Sequence, residues 1–301
     1  MSLTFMYITN QKDNSVEVID VVSHEVISII SVGVFPRGIA ITPDGQYAYV
    51  ANFGSNTVSV IFIETNMVLT SINVGINPTE VAITPDGQFV YVTNFRSNTI
   101  SVIATQSNTI LTTIPVGSMP RGIAVTPNGV FVYVVNSDSN RVSVINTNTN
   151  AVVNTVIVGA KPIDIVITPD GLFAYVTNYS GQTLSVIDIA TDTVSKTIPV
   201  SVKPYAVTIT QNGADVYVTG YNTSTVEVIS TITHTVTDSV TVGTSPIGIA
   251  VSTDGNIVYV VNEGSNTVSA IDQNMNTVIA TYQTGVQPYG IDVIGPTGPT
   301  G

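Results

Sequence analysis

The chain has 301 residues, a net charge of −12 and only 9% charged side chains, so it lacks the clustered Lys and Arg that neutralise phosphates, and nucleic-acid binding is excluded. The absence of Cys excludes disulfides, thiol catalysis and thiolate metal sites. Hydrophobic residues make up 44%, ample for a large core, yet no apolar run approaches the ~20 residues of a membrane helix, so no membrane insertion is expected.

Along the chain, Thr4 to Thr9 already reads as a strand, with neither the basic nor the apolar segment of a leader peptide before it. Residues 36 to 75 then show a complete unit. Gly38 to Thr42 is a short apolar strand, and Pro43-Asp44-Gly45 is a turn in which Pro fixes φ and Gly accepts a positive φ. Tyr47 to Ala51 is an alternating strand, Gly54-Ser55-Asn56 turns the chain, and Thr57 to Ile61 is a β-branched strand. Met67 to Val74 is the fourth strand, and Gly75 leads into Pro78. Strands and turns at this spacing predict an antiparallel meander, and no helical period competes with it.

The unit returns without insertion or deletion. Tyr recurs at 7, 49, 91, 133, 175, 217 and 259, and Pro at 36, 78, 120, 162, 204, 246 and 288, always 42 residues apart. Such a period marks a propeller or a solenoid. The last unit stops after its first strand, Tyr289 to Val293, whereas the chain begins on a second strand. Residues 285–294 and 1–32 therefore complete one blade from both termini and close a ring. The prediction is an all-β, seven-bladed β-propeller of four-stranded antiparallel blades over 1–294, with no second domain.

The phrases Tyr-Val-Thr-Asn, Ser-Asn-Thr-Val-Ser-Val-Ile, Val-Gly-x-x-Pro and Thr-Pro-Asp-Gly resemble the YVTN family of β-propeller repeats, over residues 1–294. The resemblance implies the propeller fold. Similar propellers include surface proteins of microbes, and related ones carry lactonase, lyase and redox activities, a choice that fold alone does not make. The tail Gly295-Pro-Thr-Gly298-Pro-Thr-Gly301 places Gly at every third position, the pattern of a collagen triple helix. It resembles the start of a bacterial collagen-like stalk, although a polar tail without a role fits as well. Two triplets cannot hold three chains, so this chain is expected to be monomeric, with trimers possible on a longer stalk.

With the first strand innermost, the Gly-x-x-Pro loops and the loops after Tyr-Val-Thr-Asn share one face, the top. Residues one and two places after each repeat Pro ring the channel mouth: Arg37, Arg121, Tyr205 and Tyr289 at the first place, Glu80 and Asp164 at the second. Lys161 and Lys203 precede their prolines, and Phe53, Phe95, Tyr179 and Tyr221 follow the repeat Asn or Gly. Arg and Lys can hold a carboxylate or phosphate and aromatic faces can stack on sugars, so these twelve residues form a candidate ligand-binding face. The competing reading pairs Arg37 and Arg121 with Glu80 and Asp164 as structural ion pairs, which would keep both carboxylates ionised. On the bottom face, Asp44, Asp86, Asp170 and Asp254 sit in turns, where Asp bonds local amides. The repeat Asn residues are expected to bond turn backbone.

Only two His occur, His24 and His234, five repeats apart and on the rim; the channel therefore has no His base or metal ligand, and no Trp exists for a derived cofactor. No catalytic residues, metal or cofactor are expected. The leading expectation is a non-catalytic, surface-displayed head, at a cell or spore surface, that binds a protein or glycan. The alternatives are a lactonase- or lyase-like enzyme at the channel mouth, using Glu80 and Asp164, and a structural coat subunit.

Overall fold

A computed structural model describes residues 4–295. Among them, twenty-eight strands form seven four-stranded antiparallel sheets, a seven-bladed β-propeller, numbered in chain order from β1 (Phe5–Asn10) to β28 (Pro288–Ile294). Of the tail expected to resemble the start of a collagen-like stalk, residues 295–301, only Gly295 is described; the rest lies outside the described residues. In the first complete blade the order from the axis outward is β4 (Pro36–Ile41), β5 (Tyr47–Asn52), β6 (Thr57–Phe62) and β7 (Met67–Asn73). The other inner strands are β8 (Pro78–Ile83), β12 (Pro120–Val125), β16 (Pro162–Ile167), β20 (Pro204–Ile209), β24 (Pro246–Val251) and β28, each touching its two neighbours around a closed ring. One sheet joins β28 to β1, β2 (Ser15–Asp20) and β3 (Val26–Ser31), so both ends of the described chain share a blade.

The apolar core lies between blades rather than along the axis. At one interface Tyr7, Val16 and Val18 of one sheet meet Ile39, Val50 and Ile61 of the next, and similar clusters fill the others. The recurring Tyr is buried at every copy. Its hydroxyl reaches the next blade: Tyr49 donates to Asn108 Oδ1 at 2.7 Å, and Tyr7, Tyr91 and Tyr217 do the same to Asn66, Asn150 and Asn276. The acceptors hold positive φ, which Asn tolerates. His24 and His234 occupy the same turn position, on the rim, and His234 lies against Tyr175 with ring centroids 6.5 Å apart. Replacing Tyr49 by Phe is expected to cost about 1 kcal/mol, because the apolar contact stays and Asn108 loses its donor. Urea unfolding of Tyr49→Phe against the parent chain checks this.

Two turn devices repeat. Asp44 Oδ1 accepts from the Gln46 amide at 3.0 Å while Gly45 takes φ +71°, and Asp86 and Asp170 act alike. The repeat Asn differs from expectation: Asn52, Asn94, Asn136, Asn178 and Asn262 bond side chains of the third strand instead of turn backbone, and the Asn10 side chain has no hydrogen-bond partner. Asn52 Nδ2 donates to Ser59 Oγ at 2.9 Å and Thr57 Oγ1 at 3.1 Å. The Asn is fully buried under the Val-Gly loop, where a Cβ on Gly33 would meet Asn52 Cγ at 2.6 Å. One blade exchanges all three partners together. Gly220 replaces the Asn, Ser201 the loop Gly and Glu227 the strand Ser, and the Ser201 amide donates to Glu227 Oε1 at 3.1 Å. Glu17 bonds the Gly285 amide at 2.9 Å in the same way in the closing blade, where the Asn, Asn10, is kept.

Candidate functional site

The inner strands bulge near their beginnings, between Pro78 and Val81 in β8 and between Pro162 and Ile165 in β16. A bulge frees an amide from the ladder. The Thr of Tyr-Val-Thr-Asn accepts it: Glu80 N donates to Thr93 Oγ1 and Asp164 N to Thr177 Oγ1, each at 2.9 Å. The same Thr serves Ala206 and Gly290. Where the motif carries Ala51, Val135 or Val261 instead, the bulge residue is Gly38, Gly122 or Gly248. These glycines lie against the next inner strand; a Cβ on Gly122 would sit 2.6 Å from Asp164 Cα. The pattern places two carboxylates, and no more, among the seven bulge positions.

These residues wall a cavity of about 100 Å³ on the ring axis, with Glu80, Arg121, Asp164, Tyr205 and Tyr289 as its polar lining and isoleucines such as Ile39 and Ile247 as its apolar lining. Above it the side chains form a continuous chain of rings and cations. The Arg37 guanidinium carbon lies 3.6 Å from the Phe53 ring centroid and 5.2 Å from that of Tyr289. Arg121 lies 4.9 Å from Phe95, and Phe53 and Phe95 are 6.4 Å apart. On the other side Tyr205 stacks on Tyr221 at 5.6 Å, and its hydroxyl meets that of Tyr289 at 3.0 Å. Tyr179 touches Tyr205 and Tyr221, under Lys161 at 5.4 Å and Lys203 at 5.6 Å. The twelve residues singled out in the sequence thus surround one mouth.

Their pairing differs from the ion-pair reading. Both arginines lie on aromatic faces, and each Nε is buried without a hydrogen-bond partner. Asp164 turns to backbone instead: its Oδ1 accepts from Ile165 N at 2.9 Å and its Oδ2 from Val207 N of the next blade at 3.0 Å. Burial, and then the nearby charge of Asp164, push the Glu80 carboxyl up to about 8 against the opposing pull of Arg37 and Arg121. Against the expectation that the arginines keep both carboxylates ionised, desolvation of Glu80 outweighs the pull of the two cations and favours its protonated form. Burial raises Asp164 to about 6, less than Glu80 because two amides favour its charged form.

Two carboxylates at the mouth and channel escaped the sequence reading. Glu263 occupies the slot of Phe53, Phe95, Tyr179 and Tyr221, and lies near Arg37 and Lys12. Asp292 sits where other inner strands carry Ala40, Ala82 or Ala124; it accepts from Ile41 N and Val293 N, both at 2.8 Å, and burial raises it to about 6. A lone acid in a column of uncharged residues was the available signal. Among the described residues no group of three or more His, Asp or Glu is arranged to hold a metal ion.

A family model described as "Lactonase, 7-bladed beta-propeller" matches residues 66–156. No curated protein matches the chain by sequence. Among solved structures, a functionally unknown protein from Desulfotomaculum acetoxidans superposes with TM-score 0.87 at 20% identity, covering 97% of this chain and 99% of that one. A putative 6-phosphogluconolactonase from Bacteroides fragilis gives TM-score 0.83 at 17% identity, covering 97% and 98%. Kuenenia stuttgartiensis hydrazine synthase gives 0.79 at 22%, covering 86% and 95%. At these identities the structural likeness is one of fold. The lactonase match, which reaches across Glu80 and Arg121, overturns the expectation of a non-catalytic adhesion head: the chain is similar to an enzyme family over a segment that contributes Thr79, Glu80, Arg121 and Gly122 to the cavity wall.

Proposed function

We propose that the channel mouth hydrolyses a cyclic ester of a hydroxylated acid. The observation that carries this reading is Glu80, a carboxyl raised to about 8 beside two guanidinium groups that have unspent donors. The lactonase match and the neighbour named a 6-phosphogluconolactonase supply the substrate class. In its ionised form Glu80 takes a proton from water as the water oxygen bonds to the lactone carbonyl carbon. The developing oxyanion accepts from the Arg121 guanidinium, whose partner Phe95 holds it without neutralising it. The ring C–O bond then breaks, and the proton held by Glu80 passes to the departing alkoxide. Lactone and water become one open hydroxy acid.

A base in this position works best where its pKa is close to the ambient pH. The expected rate therefore rises with pH through about 8 as Glu80 loses its proton. Glu80→Gln is expected to lower kcat/KM on gluconolactone by a factor on the order of 10² or more, because general-base assistance is worth that much. Proton release in a pH-stat follows the reaction directly. A parent chain that opens no sugar lactone, or a Glu80→Gln variant as fast as the parent, overturns the reading.

A further inference from the structure

The central cavity is too small for the substrate class it serves. Its volume of about 100 Å³ is smaller than the ~150 Å³ of a cavity that takes up a benzene ring, and a hydroxylated sugar ring is larger than benzene. Only the reacting ester end of a ligand enters it. The remainder must lie on the top face, and one groove there meets the cavity at Arg121. It holds about 560 Å³ and shares Arg121 with the cavity wall. Phe95 and Met119 form its apolar floor, and Asp138, Lys161 and Ser180 bring polar groups along it.

We infer that this groove is a second subsite for a neutral sugar ring, so that the substrate is a disaccharide-sized lactone rather than a single ring. This rests on the lactone-opening reading of the cavity. The groove mixes the two chemistries a sugar ring presents. A C–H face lies against Phe95 and the Met119 side chain, while hydroxyls reach the Asp138 carboxylate and the Lys161 ammonium. An alkyl tail would fit the floor but would strip water from Asp138, Lys161 and Ser180 without replacing it.

The test compares maltobionolactone with gluconolactone on the intact chain. The disaccharide is expected to be opened with a kcat/KM at least about tenfold higher, one good hydrogen-bonded contact being worth that factor. Ser180→Trp and Met119→Trp, each filling the groove, are expected to bring that ratio close to one. Equal kcat/KM for the two lactones, a ratio unmoved in both variants, or a preference for an alkyl-substituted lactone overturns the subsite. If neither lactone is opened, the proposed reaction has failed on its own, and calorimetric titration of maltobionate against gluconate still reads the groove. Tighter maltobionate binding, lost in Ser180→Trp, supports it; equal or absent binding of the two acids overturns it.

Discussion

Deleting residues 287–301 is expected to remove most of the folding stability, because it takes out β28, the inner strand of the closing blade. β28 pairs with β1 along its length and touches β4 and β24 on either side. Its Ile291 and Val293 are buried in a cluster with Met6, Ile8 and Tyr259. Burial of such side chains contributes about 1.5–3 kcal/mol each, and Met6 and Ile8 lose their cover as well. Asp292 also loses its hold on Ile41 N, and Thr9 its bond with Gly290. Against a total stability of about 5–15 kcal/mol this loss is decisive. A thermal melt of the shortened chain is expected to show a transition lowered by tens of degrees or none at all. A peptide spanning Gln287–Gly295, added in trans, is expected to restore part of it in proportion to peptide concentration. A shortened chain that melts with the intact one would mean that the ring holds without its last inner strand.

The architecture was legible because every local signal repeats. Pro and Gly at the turns, Tyr between sheets and β-branched third strands agree at each return of the 42-residue unit, so an error in reading one blade is corrected by six others. The same arithmetic located the mouth residues, since equal offsets from the repeat Pro give equal heights on the axis. What it could not give was the state of those residues. The Glu80 carboxyl is pushed up because the converging inner strands bury it, a property of the closed ring rather than of any one strand. Whether Arg121 meets Asp164 or Phe95 depends on side-chain directions across three blades. Asp292 and Glu263 were passed over because a reading by repeats looks for what recurs, and each is an acid standing once in a column of other residues.

The buried carboxyls predict an unusual dependence of stability on pH. Glu80, raised to about 8 from 4.5 when folded, favours the protonated native state; its contribution is full below 4.5 and is lost as pH rises through about 8. Asp164 and Asp292, raised to about 6 from 3.8, act with the same sign over a lower window, full below 3.8 and lost by about 6. The turn residues Asp86, Asp170 and Asp254 oppose them. Side-chain hydroxyl bonds from Thr84, Thr168 and Ser252 lower them below 3.8, so their contribution is present above that value and lost in stronger acid. His234, lowered from 6.5 by burial, also opposes: its contribution is full above 6.5 and lost in acid. It is one partly buried ring against three buried carboxyls, and the melting temperature is therefore expected to climb as pH falls from about 9 to about 5, and to drop again below about 4. Glu80→Gln is expected to flatten the upper arm, between pH 6 and 8, and Asp292→Asn the lower arm, between pH 4 and 6. Melting curves of the three chains at one-unit steps of pH decide it, and a Glu80→Gln slope equal to that of the parent between pH 6 and 8 would remove Glu80 as the cause. The proton whose loss costs stability is the one whose loss makes Glu80 a base. Activity and stability are thus expected to move in opposite directions across the same pH window, because the burial that tunes the carboxyl for catalysis also makes its charged form expensive to hold.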